Sequence, residues 1–76
     1  MQWVADTIHP RRIHAVIEKQ TLRSVMPGVP NQDGFYLYVW ENDKGIDDDL
    51  QDDLEAAVNV AYERYGIPKD IWRQVE

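Results

Sequence analysis

The strongest pattern in the chain is a run of six consecutive aromatic or aliphatic residues at 35–40. Gly34 precedes this run and a polar stretch at 41–45 follows it, which is typical of a β-strand bounded by turns. Successive side chains of a strand point to opposite faces, so one face would carry Phe35, Leu37 and Val39. The other face would carry three aromatic side chains, Tyr36, Tyr38 and Trp40.

A second strand is predicted on the other side of a loop. Residues 27–34 contain two prolines and two glycines, which are incompatible with a helix or a central strand. Before this loop, residues 21–26 include β-branched residues in a rough alternation. The simplest arrangement is an antiparallel hairpin, in which strands at 20–26 and 34–41 form a short sheet.

The segment upstream of these strands has an ambiguous pattern. Pro10 suits the first turn of a helix, and three apolar residues then recur at helical spacing, Ile13, Val16 and Ile17. This pattern predicts a short helix at about 10–19. The same region also alternates as a strand does, at Ile13, Ala15 and Ile17, so an extended conformation over 13–26 remains open.

The second half of the chain predicts a long helix over about 47–65. Three aspartates at 47–49 would supply negative charge at its N-terminus, and Asp48 with Gln51 has the spacing of a capping box. One face would carry an apolar stripe, Leu50, Leu54, Ala57, Val58, Ala61 and Tyr65. Gly66 would end the helix, and Pro68 would open another short helix at about 68–75.

These elements predict one α+β domain over residues 1–76, a short antiparallel sheet covered by one long amphipathic helix with short flanking helices. The predicted core is Ile17, Leu22, Phe35, Leu37, Val39, Leu50, Leu54, Val58, Ala61 and Tyr65. The chain has no cysteine, so neither a disulfide nor a thiolate metal site supplements this core.

The charge is concentrated in one half of the chain. Of the residues in 1–40, four are basic and three are acidic, whereas 41–76 contains four basic and eleven acidic residues. Clustered basic residues are needed for phosphate binding, so we expect no direct binding to nucleic acid or to an anionic membrane surface. Without a secretory signal or an apolar stretch of roughly 18 residues, the expected location is the cytoplasm.

The residue types that carry catalysis are sparse. Placing Gly45 on the invariant glycine of a calcium-binding loop would put Trp40 and Lys44 at ligand positions, so that template fails. His9 and His14 are five residues apart, which is not the helical zinc spacing, and no glycine-rich phosphate loop occurs. We therefore expect a protein that is not an enzyme, with no cofactor and no metal.

Two hypotheses about function follow, a protein-interaction or regulatory module and an acidic mimic of nucleic acid. For the first, the candidate partner-binding residues are Tyr36, Tyr38, Trp40, Asp49, Asp52 and Glu63. For the second, carboxylates would stand in for phosphates, namely those of Asp48, Asp49, Asp52, Asp53, Glu55 and Glu63. Either the first helix or the C-terminal segment covers the aromatic strand face, as a second small core, or that face binds a protein partner or a second copy of the chain. We expect a monomer or a weak homodimer.

Residues 22–72 also resemble a pattern found in small bacterial proteins of unknown activity. The features that carry the resemblance are the aromatic strand from Gly34 to Trp40, an acidic turn, alanines within the helix and an aromatic-Gly-Ile-Pro exit at 65–68. The resemblance implies a bacterial α+β domain. It implies no activity, cofactor or catalytic residue.

Overall fold

A computed structural model describes residues 1–22 and 25–75, which form five β-strands and one α-helix. The elements are β1 (Gln2–Thr7), β2 (Ile13–Leu22), β3 (Gln32–Glu41), β4 (Lys44–Gln51), α1 (Leu54–Tyr65) and β5 (Arg73–Gln74). The strands form a single sheet in the order β4-β3-β2-β1-β5, and every neighbouring pair is antiparallel. No helix in the described ranges is long and apolar enough to cross a membrane.

The centre of the sheet is the β2–β3 pair, which extends from Ile13 opposite Glu41 to Leu22 opposite Gln32. Residues that face each other across this pair point to the same side of the sheet. Ile17 lies opposite Leu37, and both side chains are fully buried. The side chains at odd-numbered positions of both strands therefore face the core, and those at even-numbered positions lie on the opposite face of the sheet.

Helix α1 closes the core from one side and is capped at both ends. The Asp53 carboxylate accepts a hydrogen bond from the Ala56 N–H at 2.7 Å, as an N-cap residue does. Gly66 has a φ of 68° and donates its N–H to the Tyr62 carbonyl at 2.9 Å, so it ends the helix in the predicted left-handed conformation. Ile67, which follows at once, is fully buried.

The predicted fold class, a short sheet covered by one long helix, was wrong, because the described residues form mostly antiparallel sheet with one 12-residue helix. The predicted helix at 10–19 is absent, because residues 13–22 are a strand that pairs with β3 along its whole length and with β1 at 13–18. The predicted helix at 68–75 is also absent, and residues 73–74 form β5 instead. The antiparallel pairing across the loop was predicted correctly, but the bounds of the first strand were not: β2 runs from Ile13 to Leu22, and residues 25 and 26 lie outside any strand. Residues 23 and 24 of the predicted strand lie outside the described ranges.

The predicted helix start at 47–49 was wrong as well, since these aspartates lie in β4. Asn42 and Asp43 both have positive φ, 51° and 67°, and form a two-residue turn between β3 and β4. Such turns match the twist of antiparallel strands, and Asn and Asp adopt positive φ more readily than most residues. The chain therefore returns along β3 before the helix begins, and Asp53 caps the helix.

The core was predicted in part. Four predicted residues are fully buried, namely Ile17, Leu37, Val39 and Ala61, and four pack partly buried against them, namely Phe35, Leu54, Val58 and Tyr65. Leu50 was assigned wrongly, because it is 43% exposed on the opposite face of the sheet. The Leu22 side chain lies outside the described part of the chain. The prediction missed Ala5, Ile13, Ala15, Ala57 and Ile67, which are all buried.

Candidate functional site

One face of the sheet has no helix over it in the described ranges, and we call it the open face. Helix α1 contacts β3 and β4, and it belongs to the core that contains Leu37 and Val39. The side chains at even-numbered positions of β2 and β3 point the other way. This second face is where the structure brings the three predicted aromatic residues together.

Tyr36, Tyr38 and Trp40 form a continuous row along β3 on the open face, and we call them the aromatic row. The ring centroids of Tyr36 and Tyr38 are 6.1 Å apart with nearly parallel planes at 17°. Those of Tyr38 and Trp40 are 6.2 Å apart with planes tilted by 33°. Each of the three side chains is half-buried.

Strand β2 borders the aromatic row with one aromatic, one apolar and one acidic side chain. His14 lies opposite Trp40, Val16 opposite Tyr38, and Glu18 opposite Tyr36. The His14 and Trp40 rings are 5.5 Å apart between centroids. These three residues were not predicted as part of the site, because their segment was assigned to a helix, although they alternate with Ile13, Ala15 and Ile17 as residues of a strand do.

Asp6 on β1 extends this border and is already paired. His14 Nδ1 lies 2.6 Å from Asp6 Oδ1, and Arg73 Nη2 lies 3.5 Å from Asp6 Oδ2. The negative charge of Asp6 is therefore balanced in part by the Arg73 guanidinium of β5. A concavity of about 320 Å³, to which Asp6, His14 and Trp40 contribute, lies at this end of the open face.

Strand β4 borders the aromatic row on its other side. Asp48 lies opposite Tyr38 and Leu50 lies opposite Tyr36. A second concavity, of about 410 Å³, is lined partly by Tyr38, Trp40 and Asp48. Burial raises the pKa of the Tyr38 hydroxyl, and the nearby negative charges of Glu18 and Asp48 raise it further.

The predicted acidic binding residues do not join the aromatic row. Asp49 points to the helix side, where its Oδ2 lies 3.1 Å from Arg64 Nη1 and accepts a hydrogen bond from Gln51 at 2.9 Å. Asp52 is exposed in the turn between β4 and α1, and Glu63 is exposed on α1. The two halves of the predicted binding surface therefore lie on different parts of the molecule.

The charges on the helix side stabilise the attachment of α1 to the sheet. The Tyr65 hydroxyl donates a hydrogen bond to Asp47, which also lies 3.2 Å from Arg64 Nη1. Burial and this hydrogen bond raise the pKa of Tyr65 to about 12, and the same bond lowers the pKa of Asp47. Arg11 pairs with Glu41 and places its guanidinium carbon 6.0 Å from the centre of the Tyr65 ring. Each of these carboxylates has a partner, which indicates a structural cluster.

The chain was compared with models of known protein families, with curated proteins and with solved structures, and none of the three comparisons gave a match. Within residues 1–22 and 25–75 no three His, Asp or Glu side chains are grouped so that they could hold a metal ion. The open face therefore supplies the main observations that bear on function.

Proposed function

We propose that this chain is a non-catalytic interaction module that binds another protein through the open face. The observation that carries the proposal is the aromatic row, three large aromatic side chains on a sheet face that no described helix covers. Tyr and Trp are enriched among the residues that dominate binding energy at protein interfaces. Such residues combine a large apolar surface with a polar group that can pair at the interface.

The row is held in a rigid frame, which favours binding. Strand β3 is paired with β2 along its whole length and with β4 from Phe35 to Glu41, which includes the aromatic row. The rings also pack against one another, with His14 against Trp40. Little side-chain freedom would be lost when a partner covers the rings, so less of the interaction energy would be spent on ordering them.

The geometry favours this proposal over the acidic mimic of nucleic acid. A mimic needs carboxylates that form one continuous array, in the manner of phosphates. Asp48 lies on the open face and Asp49 on the helix side, while Asp53 is engaged as the cap of α1. The charges are thus distributed over several surfaces. A bacterial and cytoplasmic setting remains part of the proposal.

Comparison of two Tyr→Ala variants tests the proposal. Tyr38→Ala removes the central ring of the aromatic row, and Tyr62→Ala removes a ring that is 50% exposed on α1. Each tagged variant would be incubated with an extract of the organism that produces the protein. We expect a partner that the unchanged protein and Tyr62→Ala retain in high salt, and that Tyr38→Ala loses.

A milder change guards against unfolding of the Tyr38 variant. Leu50→Gln places a polar group at an exposed position beside Tyr36 and should leave the circular dichroism spectrum unchanged. It should also weaken capture. The proposal fails if both open-face variants retain the partner, or if capture instead depends on Asp52 and Glu63.

A further inference from the structure

The charges on the open face are unbalanced beside the aromatic row. Asp6 is paired with Arg73 and His14. From residues 1–22 and 25–75, the Glu18 carboxylate accepts side-chain hydrogen bonds from two neutral amides, those of Gln2 at 3.5 Å and Gln20 at 3.0 Å. Among the described residues, neither Glu18 nor Asp48 has a cationic group within ion-pair distance.

These two carboxylates lie on opposite sides of the aromatic row. Glu18 is opposite Tyr36 on β2, and Asp48 is opposite Tyr38 on β4. Their strands are separated by two strand spacings, about 10 Å. A group that lies over the Tyr36 and Tyr38 rings would therefore have a negative charge on each side, in a chain whose net charge is already −6.

This arrangement favours a cationic partner over a second copy of the chain. Two open faces in contact would bring the Glu18 and Asp48 carboxylates of both copies into a shared interface. Opposite charges would instead attract a basic partner and guide its approach. Phosphates of nucleic acid would be repelled for the same reason.

The chain itself contains an example of the expected contact. The Arg11 guanidinium lies over the Tyr65 ring, 6.0 Å from the ring centre, and pairs with the Glu41 carboxylate at the same time. Arginine is suited to this double contact because its guanidinium is planar, stacks on aromatic rings and matches a carboxylate with two donors. The concavity lined by Tyr38 and Asp48 offers the same two groups to an incoming side chain.

The spacing of the rings indicates the conformation of the partner. Ring centres along the aromatic row are 6.1 and 6.2 Å apart. Alternate residues of an extended chain are separated by about 6.6–6.8 Å and point to the same side. Resting on the proposed function, we infer that the open face binds an extended protein segment with arginine at alternating positions, whose guanidinium groups stack on the rings and pair with Glu18 and Asp48.

A synthetic peptide of alternating arginine and threonine, blocked at both ends, is the probe for this inference. Binding would be followed from the shifts of backbone amides and of the Trp40 indole N–H in nuclear magnetic resonance spectra. The expected shifts cluster on the open face. A peptide of the same composition with its arginines adjacent should bind about threefold more weakly, since fewer guanidinium groups would face the rings. A lysine version should be weaker for lack of stacking.

Two double variants distinguish pairing with Glu18 and Asp48 from attraction by the net charge of the chain. Each variant removes two negative charges, so the net charge changes equally in both. Glu18→Gln with Asp48→Asn changes the open face, and Glu63→Gln with Asp52→Asn changes exposed carboxylates elsewhere. We expect the first pair to weaken peptide binding about fivefold and the second to have less than a twofold effect. Equal losses would overturn the inference, because they would reflect net charge alone.

The remaining outcomes distinguish the inference from the proposed function. If no arginine peptide binds but capture of a partner still depends on Tyr38, the inference is wrong and the proposed function stands. If no arginine peptide binds and capture does not depend on Tyr38, both the inference and the proposed function are wrong. Self-association that is abolished by Tyr38→Ala, without peptide binding, would identify a second copy as the occupant and also overturn the inference.

Discussion

Replacing Leu37 and Leu50 separately by Ala tests whether the sheet really has one buried and one open face. The two leucines lie on neighbouring strands, β3 and β4, but point to opposite sides of the sheet. Leu37 is fully buried under α1, whereas Leu50 is 43% exposed beside Tyr36. The chemical change is identical, so a difference in cost measures the difference in environment.

The expected costs differ severalfold. Leu37→Ala removes a side chain from the centre of the core and should lower the free energy of unfolding by about 2–5 kcal/mol, cavity included. Full burial of a leucine contributes about 1.5–3 kcal/mol, so the half-buried Leu50 should lose about 1 kcal/mol or less. A domain of this size has roughly 3–5 kcal/mol in total, so Leu37→Ala would leave little stability. Leu37→Val, which removes one methylene at a cost of about 1 kcal/mol, gives a variant that stays measurable.

Urea unfolding followed by tryptophan fluorescence and far-ultraviolet circular dichroism provides the measurement. Equal costs for Leu37→Ala and Leu50→Ala would refute the two-faced sheet, since Leu50 would then be as buried as the core. A cost of Leu50→Ala that grows with protein concentration would show that a second copy covers the open face. A sheet with one buried and one open face requires that Leu37→Ala is costly and Leu50→Ala is not, at every protein concentration.

The remaining predictions concern titration, helix caps and assembly. Because the pKa of Tyr65 is about 12 when folded and near 10 when unfolded, stability should fall as pH rises from 10 to 12. The Tyr65→Phe variant should lack about 1–2 kcal/mol of this loss in unfolding free energy, a figure that allows for solvent screening. Urea unfolding at each pH measures it. Asp53→Ala should cost about 1 kcal/mol in urea unfolding, and Asp48→Ala clearly less, since only Asp53 caps the helix. Gly66→Ala should cost about 1 kcal/mol at a φ of 68°, measured in the same way. Sedimentation equilibrium should show a monomer at low salt, and Trp40→Ala should reduce any dimer that appears at high salt.

The parts of the fold that could be predicted have strong local signals. The strand at 34–41 combines aromatic and β-branched residues between turn residues, and it lies within β3 as expected. The latter part of the predicted helix, 54–65, has a regular apolar period and ends at Gly66, which lacks a Cβ and readily takes positive φ. In both cases neighbouring residues alone determine the conformation.

The parts that failed depend on contacts distant in sequence. Residues 13–19 fit a helix or a strand equally well, and pairing with β1 and β3 decides between them. The aspartates of β4 are poor strand residues by propensity. Two of them are compensated there, Asp47 by Tyr65 and Arg64, and Asp49 by Arg64. No local pattern reveals a partner 15 or more residues away.

The candidate site also has one part that the local pattern predicts and one part that depends on distant contacts. Alternation along one strand sufficed to group the aromatic row on one face. That the face lacks a covering helix depends on residues 10–19 and 68–75 not being helical, which the local pattern did not reveal. Glu18 joins the site only through the register that places it opposite Tyr36.

The edges of the sheet give a final reason to assign binding to its face. At one end the sheet ends with β4, an edge strand that contains three consecutive aspartates at 47–49. Charged side chains on an edge strand oppose pairing with another strand, and two such edges in antiparallel contact would place like charges together. At the other end β5 pairs with Trp3 and Val4 and covers part of β1. Edge pairing between copies is therefore disfavoured at β4 and restricted at β1, whereas the aromatic row remains accessible to a partner across the centre of the sheet.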